Sequence, residues 1–207
     1  MPTARRRYRD KRAPSLALRR RFPLISGVSV LSIHRYPSRV LTQHAAEITQ
    51  INARAAKLLN DMVDTMYASN GIGLAAPQIG SLLRAIVIDT DSESRGKQLI
   101  KIINPEILES SGSVVWEEGC LSVVNYTADV TRARHVLMRG WTIEHKEVQI
   151  EASDLLAVCI QHEIDHLDGR LFIDRISALK RSLYRKRLNK QVRQDEDDAP
   201  AKRPGAL

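Results

Sequence analysis

The hexapeptide QHEIDH, Gln161 to His166, constrains this chain more than any other feature. It lies in a segment, 154–167, that reads as a helix, with Ser153-Asp154 as the N-cap and Asp168-Gly169 as the stop. Four residues apart on one helix, His162 and His166 project from the same face one turn apart. That spacing holds a single metal ion through two ring nitrogens. Glu163 points to the side of that face. From there a carboxylate reaches a water beside the metal without ligating the metal, takes its proton and hands it to a leaving group. The motif alone does not settle the chemistry, because two surface histidines on an ordinary helix give the same pattern.

Two histidines leave a metal site incomplete. No histidine follows His166, so the remaining downstream candidates are Asp168 and Asp174, and Asp168 reads as part of the turn that ends the helix. Upstream, Cys120 stands in EEGCLS, just after a glycine and a short strand. A thiolate there would coordinate strongly, its deprotonation driven by the metal. Cys159 competes, since at three residues before His162 and seven before His166 it shares nearly the same face. Its neighbours Leu156, Val158 and Ile160 favour a pocket wall or core position. Spacing favours Cys120 without eliminating Cys159. With only these two cysteines there is no disulfide framework, which points to a reducing compartment.

A third unusual stretch is GIGLAAPQIG, Gly71 to Gly80. Glycines two apart among small residues let backbone come close to something, and Gln78 offers an amide. A phosphate loop is disfavoured, because Ala76 stands where GxGxxG needs its last glycine and a helix precedes the stretch. The plainer reading is a helix stop followed by a turn into the next strand.

The rest of the chain frames these motifs. Residues 45–69 read as a helix whose apolar face carries Ile48, Ile51, Ala55, Leu58, Leu59, Met62, Val63 and Met66, stopped at Asn70-Gly71. Residues 28–33 read as a strand or extended lead-in. Segments 82–89, 98–103, 114–116, 129–138 and 147–152 read as short strands, with a polar loop at 90–97 and a turn at Asn104-Pro105. Ser177 caps a last helix with Leu179, Leu183 and Leu188 on one side and a basic face on the other. Strands in the middle with helices at either end predict an α+β fold. Short antiparallel strands would form mixed sheets around the HExxH helix, with one further helix at each end of the domain.

Aromatic residues make up 4% of the chain against 43% hydrophobic, so the core must be mostly aliphatic. No apolar run approaches the ~20 residues that span a bilayer. The net charge of +8 resembles a nucleic-acid signal until it is mapped. Residues 1–27 hold nine Lys/Arg against one acid, and 180–207 nine against four, whereas 28–179 hold fourteen against nineteen. The charge belongs to the ends, and no specific DNA binding is expected. Three regions follow: a basic arm at 1–27 expected to be disordered, a catalytic domain at 28–193, and a disordered tail at 194–207. The arm lacks the apolar segment of a secretory signal. Its Arg-rich composition is shared with organellar transit peptides, but the expectation is a cytoplasmic protein.

Together the three motifs resemble those of peptide deformylases, GxGLAAxQ, EGCLS and QHExDH, which stand here at 71–78, 118–122 and 161–166 in the family's order and spacing. The similarity runs from residue 28 to residue 192. It implies a metal-dependent hydrolase that removes the N-formyl group from the N-terminal formylmethionine of nascent polypeptides and releases formate. The resemblance assigns Cys120, His162 and His166 as ligands of one divalent ion, Fe2+ in the cell and Ni2+, Co2+ or Zn2+ in preparations. Glu163 is then general base and acid, while Gln78 and the backbone N–H of Leu121 stabilise the oxyanion. Ile72 and Gly73 bind the substrate backbone as an added strand. Trp116, Leu155, Val158 and Cys159 form the apolar pocket for the methionine side chain, which makes Cys159 a wall and not a ligand. Arg132 is expected to pair with Glu118 behind Cys120. A ribosome contact through the basic helix at 177–193 is implied as well.

Three positions depart from the family pattern: Val124 where proline is frequent, Thr127 where several members carry arginine, and Asp154 where glycine is frequent. They bear on the rim of the peptide groove and not on the ligands. Two rival readings stand beside this one. An ordinary HExxH endopeptidase predicts a ligand downstream of His166 and indifference to Cys120. A ribosome-binding protein with a structural metal site would rely on the basic segment alone.

Overall fold

The computed structural model describes residues 29–91 and 94–197, with side chains described as far as residue 190. The expected arm at 1–27 lies outside the described residues, as does 198–207. Seven strands and three α-helices follow in the order α1 (Ala53–Ala68), β1 (Gly73–Ala75), β2 (Ala85–Ile88), β3 (Ile100–Ser111), β4 (Val114–Cys120), β5 (Val123–Arg132), β6 (His135–Trp141), β7 (Glu147–Ser153), α2 (Asp154–Leu167) and α3 (Ala178–Asp197). A five-stranded sheet runs β1-β2-β3-β6-β7, and β4-β5 forms a separate hairpin. Every pairing within the two sheets is antiparallel. The only parallel pairing among the described residues is the isolated bridge Ala46–Leu83. The fold is α+β.

The large sheet is covered on both faces. β2 shows this directly, since all four of its residues, Ala85 to Ile88, are buried. Ile86 and Ile88 pack with Ile102, Val136 and Met138 against Ile160, Ile164 and Leu167 of α2. Ala85 and Val87 face the other way, onto Leu59, Met62 and Met66 of α1. A strand buried on both sides reads as a continuous apolar run, as this one does. A third cluster packs Val123, Ala128 and Val130 of β5 against Leu171, Phe172, Ile173 and Tyr184, with Cys120 at its margin. The buried hydrophobic side chains are mostly aliphatic, as composition required, with Phe172 and Tyr184 the aromatic ones among the described residues.

Several boundaries differ from expectation. The helix expected from 45 begins at Ala53, where the Asn52 side chain accepts from the N–H groups of Arg54 and Ala55. Ahead of it Asn104 claims the backbone of Ile48: its amide accepts from Ile48 N–H at 2.9 Å and donates to Ile48 O at 3.0 Å. Asn104-Pro105, expected as a turn, lies inside β3 at a register shift, with Asn104 at φ 51. A bulge tolerates the missing proline donor. The strand expected at 129–138 divides between β5 and β6, which belong to different sheets. At the division Gln161 accepts from Ala133 N–H (3.0 Å) and donates to Ala133 O (2.9 Å), so that residue has no groups left for a ladder. Of the two readings for 28–33, strand or lead-in, no strand forms among the described residues, whereas β1, not anticipated, forms within the glycine-rich stretch.

At the C-terminal end α3 continues to Asp197, four residues past the boundary expected at 193. α2 has the expected bounds, but its cap differs. Ser153 makes no side-chain capping bond, and its hydroxyl meets His135 Nδ1 at 2.9 Å instead. Asp154 stands at φ 50, a left-handed conformation in which glycine carries no Cβ penalty.

Candidate metal centre

α2 crosses the five-stranded sheet with His162 and His166 turned toward the β4-β5 hairpin. That hairpin ends at Cys120 and restarts at Val123, so only Leu121 and Ser122 form its turn. The turn delivers Cys120 to the two rings. Cys120 Sγ lies 3.2 Å from His166 Nε2, and one donor atom from each of Cys120, His162 and His166 lies within 4.8 Å of the others. The ring centroids are 5.1 Å apart, with the ring planes at 71° to each other. Phe172, itself 1% exposed, stacks behind His162 at 6.2 Å.

The orientation of each donor has a cause. His162 Nδ1 meets Glu118 Oε2 at 2.8 Å. A carboxylate accepts, so Nδ1 carries the proton and the Nε2 lone pair faces the cluster. Arg132 holds Glu118 in turn through Nε to Oε1 at 2.7 Å and Nη2 to Oε2 at 2.9 Å. This is the expected pairing of Arg132 behind Cys120. Burial alone would raise the Glu118 carboxyl, but bonds from Arg132 and His162 outweigh it and hold it below the usual carboxylate range. The Cys120 thiol behaves likewise: burial opposes ionisation, yet His166 and His162 beside it bring it well below its ordinary value. A thiolate and two imidazoles, pre-aimed and supported from behind, fit one divalent cation. Glu163 Oε2, which belongs to the carboxyl lining the cavity, is a buried atom without a hydrogen-bond partner, as a polar group reserved for a ligand would be.

A cavity of about 660 Å³ opens beside the cluster. Of the residues singled out from sequence, Ile72, Gly73, Gln78, Trp116, Cys120, Leu121, Leu155, Val158, Cys159, His162 and Glu163 line it, and His166 sits behind them, 1% exposed. Burial pushes the Glu163 carboxyl up to about 7, with both imidazoles working in the opposite direction. The Gln78 amide has one defined sense: Ala75 N–H donates to Oε1 at 2.8 Å. Its NH₂ is therefore directed at Ser122 Oγ (3.2 Å) and Cys120 Sγ (3.6 Å). Cys159 is 5% exposed, its thiol pushed well up by burial and by the Glu163 carboxylate, with Sγ 3.8 Å from Ile72 O. Only one cysteine therefore joins the histidines.

Gly73 explains part of the glycine pattern. A Cβ there would stand 2.3 Å from Glu163 Oε1 and 2.8 Å from Cys159 Sγ. The close approach is to α2, and β1 forms one edge of the sheet beside the cavity. The downstream aspartates are engaged elsewhere. Asp168 Oδ1 accepts from Arg84 at 2.8 Å, and Asp174 accepts from Leu171 N–H and Arg181. Among the described residues no group downstream of His166 completes the cluster. Sequence reasoning missed the His162–Glu118 bond and the role of Asp165, 4% exposed, which binds both Arg132 and Arg175. A charged residue inside the motif, on a helix that had to be buried, was the available signal. Arg35, Val123 and Tyr126 also line the cavity and were not anticipated. Thr127 donates to Glu117 Oε1 at 3.0 Å on the rim.

Comparison with known proteins agrees with this geometry. Residues 30–182 match the family model described as polypeptide deformylase. A peptide deformylase of Thermodesulfovibrio yellowstonii is 49% identical over 160 residues, covering 77% of this chain and 97% of that protein. One from Syntrophobacter fumaroxidans is 44% identical over 167 residues, covering 81% and 98%. The crystal structure of a peptide deformylase from Legionella pneumophila superposes with a TM-score of 0.75 at 41% identity, covering 84% of this chain and 99% of that one.

Proposed function

The chain belongs to the peptide deformylase family, and from that premise we infer how its own residues carry out the reaction. It is a metal-dependent hydrolase that removes the N-formyl group from nascent polypeptides. The observation that carries the reading is the convergence of Cys120, His162 and His166 donor atoms within 4.8 Å of one another, beside a buried carboxylate in an open cavity. When bound there, a divalent cation supplies Lewis acidity that acidifies water and polarises a carbonyl.

The formylated N-terminus enters beside β1. Ile72 and Gly73 receive its backbone at the edge of the sheet formed by β1, and the methionine side chain is received by Trp116, Leu155, Val158 and Cys159. Glu163, buried and unpaired at Oε2, takes the proton of the attacking water and delivers it to the departing amine. As the formyl oxygen gains charge, the Gln78 NH₂ and the Leu121 N–H donate to it. Loss of one such donor is worth ~3 kcal/mol in other hydrolases. Products are formate and a free amino terminus. Iron(II) is the ion we assign in the cell, a choice that one thiolate and two imidazoles allow without requiring.

The same reading places the protein in the cytoplasm, where nascent chains of its bacterial relatives emerge, and gives the basic helix α3 a contact with the ribosome. No helix among the described residues is long and apolar enough to cross a membrane. Formate release from a formyl-Met peptide, after anaerobic purification, tests the activity. Wild type is expected to turn over the formyl and not the acetyl peptide. Glu163→Gln is expected to keep its metal and lose about 10²–10⁴-fold in kcat. A Cys120→Ser chain that kept one metal and cleaved internal peptide bonds would favour an ordinary endopeptidase.

A further inference from the structure

Behind the metal ligands four charged side chains form one connected row. Glu118 receives His162 Nδ1 at 2.8 Å. Arg132 forks onto Glu118 and extends its remaining Nη1 to Asp165 Oδ2 at 2.5 Å. Asp165 lies in α2 between the two histidine ligands. Its carboxylate is taken from the other side by Arg175, through Nε to Oδ2 at 2.5 Å and Nη2 to Oδ1. The side chains of Glu118, Arg132 and Asp165 are 3%, 1% and 6% exposed, whereas Arg175 is 38% exposed and closes the row at the surface. Arg175 follows the 3-10 turn Phe172–Asp174, outside every motif that identified the site.

The row holds two carboxylates and two guanidiniums, so its charges balance. Without Arg175, Arg132 alone would serve two buried carboxylates. A guanidinium fork matches one carboxylate at a time by two parallel bonds. Any turn of Arg132 toward Asp165 would loosen its double bond to Glu118. Glu118 is what fixes the tautomer and angle of the His162 ring, so the loss would reach the metal.

We propose that Arg175 is a positioning residue of the metal centre: by occupying Asp165, it leaves Arg132 free to grip Glu118 and so keeps His162 aimed at the ion. Arg175 touches no donor atom and no substrate. The alternative is that Arg175 only pins the 171–175 turn to α2. The two readings part on metal release. This inference rests on the metal centre alone, so its failure would leave the formyl chemistry, which is read by formate, untouched.

The test uses the cobalt(II)-loaded full chain, following transfer of cobalt to excess chelator and the visible absorption of the bound ion. Outer groups behind a metal ligand are worth about 10–100-fold in affinity, and Arg175, one link further out, is expected at the lower end. Arg175→Ala should release cobalt about tenfold faster, with a shifted visible spectrum, and Arg175→Lys should fall between it and wild type. In an Asp165→Asn background, Arg175→Ala should add no further acceleration, because the carboxylate it serves is gone. Wild-type release and spectrum in Arg175→Ala, whatever its melting temperature, would overturn the proposal. So would an equal acceleration with and without the Asp165 charge. Should the alanine variant not fold, a lysine variant indistinguishable from wild type would overturn it equally.

Discussion

A Cβ added at Gly73 has no free space to enter, because Glu163 Oε1 and Cys159 Sγ already occupy it at 2.3 and 2.8 Å. Of the two, the Glu163 carboxylate is the end of a flexible chain and must give way, which moves the proton-transfer group off its station. Displacements near 1 Å cost on the order of 10²-fold in rate. Gly73→Ala is therefore expected to lower kcat by about that factor while circular dichroism and metal content stay as in wild type. Unchanged kcat would show that Glu163 tolerates displacement. Residue by residue, the two histidines were readable because imidazoles one turn apart are unusual, whereas spacing left Cys120 and Cys159 both open and only the family resemblance chose Cys120. The supporting residues were not readable. Asp165 and Arg175 are ordinary charged residues in the sequence, and only the fold brings Asp165 within bonding distance of Arg132 and Arg175 within bonding distance of Asp165.

The same contrast separates the secondary-structure elements. The limits of α2 were legible in local sequence, a Ser-Asp start and an Asp-Gly stop around an apolar run, although Ser153 makes no capping bond. The start of α1 was not. Ile48 and Ile51 continue its apolar period, but a partner 56 residues away, Asn104, binds the backbone of Ile48 and leaves Asn52 to cap the helix. The division of 129–138 was hidden for a like reason, since Gln161 sits 28 residues from Ala133. β1 is three residues long and owes its pairing to β2, too short a segment for periodicity to reveal. At the end of β2, Asp89 anchors the loop that follows. It accepts from Tyr67 Oη at 2.5 Å, Gly96 N–H at 2.7 Å and Asp91 N–H at 3.2 Å. Burial raises its carboxyl, but these bonds outweigh that and hold it below the ordinary value. A carboxyl depressed in the folded state stabilises above its unfolded pKa, ~3.9, and loses that stabilisation as pH falls through the folded one. Asp89→Asn is therefore expected to cost about 1–3 kcal/mol at pH 7, by denaturant unfolding, with the gap to wild type narrowing below about pH 4. A gap independent of pH would contradict it.

Taken whole, the molecule separates its charge by function: an acidic middle, where the reaction is assigned, and basic ends. α3 shows how the basic end is attached. Tyr184, 5% exposed, packs against Tyr126 and Tyr36, at ring distances of 4.7 and 6.1 Å, and roots the helix in the core. Arg185, Lys186, Arg187 and Lys190 meanwhile remain exposed. Truncation after Ser177 would remove a core residue along with the charge, so charge reversal is the cleaner probe. Replacing those four by glutamate is expected to abolish salt-sensitive co-sedimentation with ribosomes and to leave kcat on free formyl-Met peptides unchanged. Undiminished co-sedimentation would remove the ribosome contact from the account. The domain as a whole exists to bring a hairpin cysteine onto two histidines of a buried helix, and X-ray absorption of the zinc-loaded chain measures that directly. The account predicts one sulfur at ~2.3 Å and two imidazole nitrogens at ~2.0–2.1 Å, the sulfur shell vanishing in Cys120→Ala. A first shell without sulfur, or one that Cys120→Ala leaves unaltered, would contradict it.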